Sequence, residues 1–555
     1  MTKIDFFALG GIDERGKNCY VLTINGDSYI INFGLSTIPA VKLGVQWMAP
    51  DVNWIQNNRS SIKGIFIGTP DTDNAGALEF FANELANVPI YTTDFGASII
   101  ATRFVRINKQ NIRVMTPMKP EKIGKVFVTP FLIFNQAPRS VGFVFTTDLG
   151  CVVYVDDFVV SSNRTITFED EISSLTKITQ HKCLALIANC SLAGESIGFT
   201  NPKHRVLNFF DKVLSDNQKA TIVFGFYDSD YYRALTLISL VILRNRPICI
   251  FSKLLWQQIQ FLKQKSYFNI SKATFITPSD LTKHPNAIII LFESKLLLYD
   301  KIIDLLEEDN EFLKSDNSVV VFGENTVAGY ERDEANMFDE IAQKDIRFYK
   351  IPQDILPTKA SNEDHKQLIS LLKPEHIIPV GGLYRHLCEY QKMALQCGVS
   401  KQQILLLKNG KGVSFEGEKI KQLTKTFNVD HEDHYVSASG FVGEIDNSIV
   451  ERNMMKTSGV VIANIVYDKQ KSTIIKHEFT LNGVVEQTPE NQKVINTIIE
   501  DSNRNITNLL KSTTTLQHRE TMNEIRRSIC KLFEKRFDKR PLVIVILVYS
   551  SDLTN

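Results

Sequence analysis

The chain has 555 residues, 43% hydrophobic and 23% charged, with 63 Lys and Arg against 62 Asp and Glu. That length suits roughly two to four domains, and the composition excludes a disordered or fibrous chain. A net charge of +1 excludes a global attraction for nucleic acid, so any basic surface must be local.

In chain order, residues 5–11 and 19–25 read as strands around a turn with Gly10, Gly11 and Gly16. The turn lacks the Gly-Lys-Ser/Thr ending of a phosphate-binding loop. Residues 29–33 form a third strand, and the apolar run 62–67 feeds the polar turn Thr69-Pro70-Asp71-Thr72-Asp73-Asn74 before a helical pattern over 77–85. A strand that delivers a polar loop to a helix is where α/β proteins place their chemistry. Residues 151–155 form a buried-type strand ending in Asp156 and Asp157.

From 195 to about 345, strands at 220–226, 247–251, 287–292 and 318–322 alternate with helices such as 232–243 and 254–263. This predicts an inserted α/β layer with a parallel sheet. Residues 410–450 read as a charged connector, with His431-Glu432-Asp433-His434 as a solvated loop. Strands at 460–467 and 473–481 and a long helix follow. The helix 520–539 carries Met522, Ile525, Ile529, Leu532 and Phe533 as one apolar stripe, and the strand 542–548 is apolar on both faces.

The first histidine is His181, so nothing before it supplies an imidazole. The eight cysteines form no Cys-x-x-Cys pair and sit mostly in apolar surroundings, which points to core packing in a reduced compartment. The start lacks the apolar region of a signal peptide, and the longest strongly apolar run, 542–549, is far short of the roughly 20 residues of a membrane helix. The expected location is cytoplasmic.

Several segments, in order, resemble the ribonuclease J family of metallo-β-lactamase/β-CASP nucleases. They are Gly10 to Asn18, Ile31-Asn32-Phe33-Gly34-Leu35, Lys42-Leu43-Gly44-Val45 with Pro50-Asp51, Asn135 to Gly142, Val155-Asp156-Asp157-Phe158, Pro357 to Ser361 and Leu372 to His386. The resemblance implies a metallo-β-lactamase αββα sandwich (1–195 and 351–425), an inserted β-CASP α/β domain (196–350), a linker (426–450) and a small C-terminal α/β assembly domain (451–555). It also implies a 5′-to-3′ exoribonuclease framework for RNA processing and decay, two Zn or Mn ions, and dimers or tetramers.

The metal-binding pattern of active members, His-x-His-x-Asp-His, reads Thr69, Asp71, Asp73 and Asn74 here. Asn32 and Asn189 stand for acids, Asn135 and Gly381 for histidines, and Lys359 where a catalytic-site histidine belongs. The ligand set shrinks to at most a weak divalent site at Asp71, Asp73 and Asp157, and a lysine ammonium at 359 can fill the charge role of a vacant metal. RNA-facing candidates are Tyr231, Tyr232, Arg233, Lys359, Ser361, Tyr384 and Arg385. The leading reading is a weakly active or inactive RNA-binding subunit that pairs with itself or with an active ribonuclease J-type subunit. The alternatives are a ribonuclease with a rebuilt Asp-rich centre, and a scaffold that binds no RNA.

Overall fold

A computed structural model describes residues 2–37, 45–161, 165–180, 182–195, 198–307, 313, 317–416, 425–437, 442–443, 447–468, 470–512 and 518–550. Lys42-Leu43-Gly44, His181 and parts of the expected linker lie outside them. The chain divides into two units, Met1–Val442 and Gly443–Asn555.

The first unit is built on two sheets packed face to face. An eight-stranded sheet runs, edge to edge, through Lys425–Asn428, Lys411–Glu416, Lys3–Gly10, Cys19–Ile24, Asp27–Ile31, Ile62–Phe66, Ile90–Thr92 and Ile112–Val114. A six-stranded sheet runs through His376–Val380, Cys183–Asn189, Gly150–Val155, Val141–Thr147, Val126–Leu132 and Glu121–Ile123. Alternation along each strand turns Phe6, Tyr20, Tyr29 and Phe66 of the first sheet onto Phe131, Phe143, Phe145 and Tyr154 of the second. The Phe66 and Phe143 rings meet edge to face at 5.5 Å. The opposite face of the first sheet, with Phe7, Val21, Ile30 and Ile65, is covered by Ile55 and Ile100 of two helices. Leu368, Ile369, Leu387 and Tyr390 of the helices Asn362–Leu372 and Tyr384–Gln396 join the core of the second.

Between Cys183–Asn189 and His376–Val380, which pair in parallel, the chain detours through an inserted layer. Its six strands, including Thr221–Tyr227, Ile288–Glu293 and Ser318–Phe322, are all parallel, with helices on both faces. The αββα sandwich with an inserted α/β layer and a small C-terminal α/β domain is therefore the architecture found.

Two expectations need correction. The helix expected over 77–85 is only a short turn of helix, Thr72–Ala75, followed by a 3-10 turn, Gly76–Glu79. Asp71 caps the helix early by accepting from the Asn74 amide, so it starts before the apolar pattern. The connector expected over 410–450 supplies strands: Lys411–Glu416 pairs with Lys3–Gly10, Lys425–Asn428 extends the same sheet, and His434–Val436 pairs with Trp47–Ala49. Its charges sit at strand ends, whereas Val413 and Phe415 are buried. The His431–His434 loop is likewise packed. His434 is buried beside Asp51, and Asp433 pairs with the buried Lys17 of the Gly-rich turn.

In the second unit, strand Val460–Asp468 lies between Thr473–Asn482, antiparallel, and Leu542–Tyr549, parallel. Helices Pro489–Ser512 and His518–Phe537 cover one face, where Ile498, Ile506, Ile525, Ile529 and Phe533 are buried. Val543, Val545 and Leu547 point into that core, whereas Ile544 and Ile546 are 38% and 47% exposed. Among the described residues no helix is long and apolar enough to cross a membrane.

Candidate functional site

Strand ends converge at one rim of the sandwich. Asn32 follows Asp27–Ile31, Thr69 to Asn74 follow Ile62–Phe66, Asp156 and Asp157 follow Gly150–Val155, and Asn189 ends Cys183–Asn189. The turns are set by close backbone approach. A Cβ on Gly34 would fall 1.7 Å from the Asp73 carbonyl oxygen, so only glycine lets the loops after Asp27–Ile31 and Ile62–Phe66 meet.

The side chains form a closed hydrogen-bond network. Asn18 and Asn32 each donate to Asn74 Oδ1 at 2.8 Å, and Asn32 also donates to the Tyr154 hydroxyl at 2.7 Å. Asn74 and Asn189 donate to the two oxygens of Asp156 at 2.8 and 2.9 Å. Asn135 donates to Thr69 Oγ1 at 2.8 Å. Lys359 Nζ lies 2.8 Å from Asp157 Oδ2 and donates to Ser191 Oγ at 3.2 Å, and Ser191 donates to Asp157 Oδ1 at 3.0 Å. Most of the buried polar groups here satisfy one another, as a dry interior demands, whereas the buried Asn32 Oδ1 accepts no hydrogen bond among the described residues.

Each of the expected acids has its own protein partners. Asp71 caps the short helix and accepts from Gln136 at 3.2 Å, Asp73 faces Lys295 at 3.6 Å, and Asp157 holds Lys359. Among the described residues, no three His, Cys, Asp or Glu side chains are grouped to hold a metal ion. Hydroxyl and amide donors already engaged with each other, and a glycine at 381, do not fit the two-metal centre that the resemblance implies. Asp71, Asp73 and Asp157 each take protein partners in place of a shared ion. A cavity of about 200 Å³ opens beside Asp71 and Asp73, but its two cations are taken, Arg103 by Asp228 at 2.8 Å and Lys295 by Asp73.

Burial, and then repulsion from Asp157, push the Asp156 carboxyl up to about 6, against the pull of the Asn189 amide. Burial, and then Asp73 and Asp156, push Asp71 well above the usual range. Burial alone would lower Lys359, but Asp157, with Asp73 and Asp71 behind it, raises it, so it stays an ammonium. The folded value of Asp156 lies above its ordinary 3.8. Its contribution to stability is thus fully present below that value and is lost as pH rises through about 6. Urea midpoints at pH 4.5, 6 and 7.5 should show wild type losing stability relative to Asp156→Asn across that window. A constant difference would contradict the assignment.

The RNA-facing candidates separate into two groups. Arg233 is 1% exposed, Tyr231 3% and Ser361 0%, so none of the three is presented to a ligand. Tyr231 packs on Phe95 and Phe292, and Ser361 caps the helix Asn362–Leu372 with Asp364. Tyr232 packs among Phe134, Phe168 and His204. Tyr384, by contrast, is 40% exposed with Lys408 Nζ 5.5 Å from its ring, and Arg385 is exposed beside Glu195 at 3.4 Å. The Gly-rich turn fixes this corner, because Asp13 accepts from the Tyr384 amide and Gly11 from the Gly381 amide.

Asp156, Tyr154, Asn18, Gln136 and Lys295 were not singled out from the sequence. The paired acids at 156 and 157 were the available signal, since alternation sends neighbouring side chains to opposite faces.

Comparison with known proteins agrees with this frame. Residues 447–550 match the model of the ribonuclease J C-terminal domain. The uncharacterized protein MG423 of Mycoplasma genitalium is 34% identical over 99% of this chain and 100% of its own length. Ribonuclease J2 of Bacillus subtilis is 25% identical over 85% of each chain, and ribonuclease J of Helicobacter pylori is 22% identical over 95% of this chain and 77% of its own. A solved protein of unknown function from Enterococcus faecalis shares the fold with a TM-score of 0.52 and 13% identity, covering 74% of this chain and all of that one. The chain belongs to the ribonuclease J family.

Proposed function

We propose that this chain is a non-catalytic RNA-binding subunit of RNA processing and decay, built on the metallo-β-lactamase/β-CASP frame and paired with itself or with an active ribonuclease J-type partner. One observation carries this reading: most ligand positions of the centre, Thr69, Asn74, Asn135, Asp157 and Asn189, are engaged by mutual hydrogen bonds and by Lys359, while the sheets around them are formed. The same network counts against a rebuilt Asp-rich nuclease centre. RNA contact falls to Tyr384, Arg385 and Lys408, where a ring can stack a base and cations can face phosphates, whereas Lys359 is engaged by Asp157.

Single-stranded RNA should be retained on a filter at low salt and lost steeply as salt rises, without cleavage. Each of Arg385→Ala and Lys408→Ala should reduce the slope of log K against log salt by about 0.7. Tyr384→Ala should weaken binding by about tenfold, in line with about 1–3 kcal/mol per stacked base. Binding that is absent at low salt would leave the scaffold reading, and metal-dependent cleavage would restore the nuclease reading.

A further inference from the structure

We infer that the Lys359 ammonium is the resident cation of this centre, replacing metal ions outright, and that Asn189 against Gly381 closes the position from which a metal ligand would have to come. This goes beyond the RNA-binding reading and does not depend on it.

Two observations are independent. The first is charge. A centre without divalent ions cannot keep a full set of carboxylates, since like charges in a buried site repel strongly. The carboxylates present each have an answer. Asp157 holds Lys359 at 2.8 Å, Asp73 faces Lys295 at 3.6 Å, Asp156 accepts from two asparagine amides, and Asp71 accepts from the Asn74 backbone amide at 3.0 Å and from Gln136 at 3.2 Å. At 32 and 189, where the resemblance expects acids, neutral amides donate instead. Lys359 is therefore the ammonium that answers Asp157, as Lys295 answers Asp73, and neutral amides answer the other acids. Lys359 is also fixed by its own backbone, since its carbonyl accepts from the Thr200 hydroxyl at 2.6 Å.

The second is space. Gly381 sits at φ +75, and a Cβ there would lie 2.6 Å from both Cγ and Oδ1 of Asn189. Asn189 cannot step aside freely. Its amide donates to Asp156 at 2.9 Å, and its oxygen accepts from the Ser191 amide at 3.0 Å. Any side chain at 381 must displace Asn189 and strip Asp156 of one donor. Lys359 and Asn189 are therefore positioning residues of a self-contained centre.

The test uses the full chain and reads metal content and thermal unfolding rather than activity. Purified without chelator, wild type should carry well under one Zn or Mn per chain, and its midpoint should be the same in EDTA and in added Mn²⁺. Lys359→Met should lower the midpoint by about 2 °C or more, as expected when a part-buried, hydrogen-bonded pair loses one member. Lys359→Met with Asp157→Asn should regain at least half of that loss. Gly381→His should unfold earlier than wild type and take up no Zn²⁺ or Mn²⁺ in equilibrium dialysis. If Lys359→Met yields no folded protein, the wild-type metal content and chelator response decide. One equivalent of metal in wild type, a midpoint that falls in EDTA, a Lys359→Met variant that unfolds with wild type, or metal uptake by Gly381→His would each overturn the inference.

Discussion

Arg233→Ala should lose about 3–5 kcal/mol of stability, the cost of stranding buried charges, and any loss of RNA retention should follow the unfolded fraction. The guanidinium is held by Glu324 at 3.0 Å, the Gly323 carbonyl at 3.0 Å, Asn325 at 2.6 Å, the Leu356 carbonyl at 3.3 Å and Asp230 at 3.4 Å. It ties the start of helix Tyr231–Leu243 to the end of strand Ser318–Phe322 and to the segment that re-enters the sandwich. Without it, Asp230 and Glu324 face each other in a dry site, where burial already raises both carboxyls and Asp230 further raises Glu324. Lysine cannot substitute, because a fork of five donors becomes a point charge. Urea midpoints for Arg233→Ala and Arg233→Lys, alongside RNA retention measured well below the midpoint, separate the two roles. A folded variant that still unfolds within about 1 kcal/mol of wild type, yet binds RNA poorly, would return Arg233 to the RNA surface.

Removing the chain from residue 443 should leave a folded first unit that sediments as a monomer and no longer joins its partner. The first unit contains its own sandwich core and inserted layer. In the second unit the helices cover one face of the three-stranded sheet. The other face carries the registered pairs Ile462–Ile544, Asn464–Ile546 and Val466–Val548. Among the described residues, strand Leu542–Tyr549 is paired on one side only. A part-exposed apolar face and a strand edge without a second β-partner are features that oligomers cover. Analytical ultracentrifugation of full-length and truncated chains, alone and with an active ribonuclease J subunit, checks this. Unchanged sedimentation and co-purification would move assembly to the first unit.

What the sequence made legible depended on distance along the chain. Strand and helix periods, the insertion and the replaced ligand positions are local, and each could be read from a short window. The fate of Arg233 was not local. Tyr231-Tyr232-Arg233 after a polar turn resembles an exposed contact, but its partners Glu324 and Leu356 come from elements some 90 to 120 residues later. The strand Lys411–Glu416 was hidden for the same reason. Its short alternation is framed by charges, and only its pairing with Lys3–Gly10 reveals it. Lys359 was readable as a possible cation, whereas Asn74 and Asn189 converging on Asp156 required the strand ends to be seen together.

That pairing of Lys3–Gly10 with Lys411–Glu416 bears on how the chain is made. Once made, strand Lys3–Gly10 gains its outer neighbour only after roughly 400 further residues, about 20–80 s of synthesis at about 5–20 residues per second. Throughout that interval the nascent sheet can close on its Cys19–Ile24 side but not on the other. The open edge, bearing Phe6 and Phe7 nearby, is a template for wrong strands. Holdase chaperones that engage the growing chain, and codon choices that shorten the delay before residue 411, should therefore raise its soluble yield.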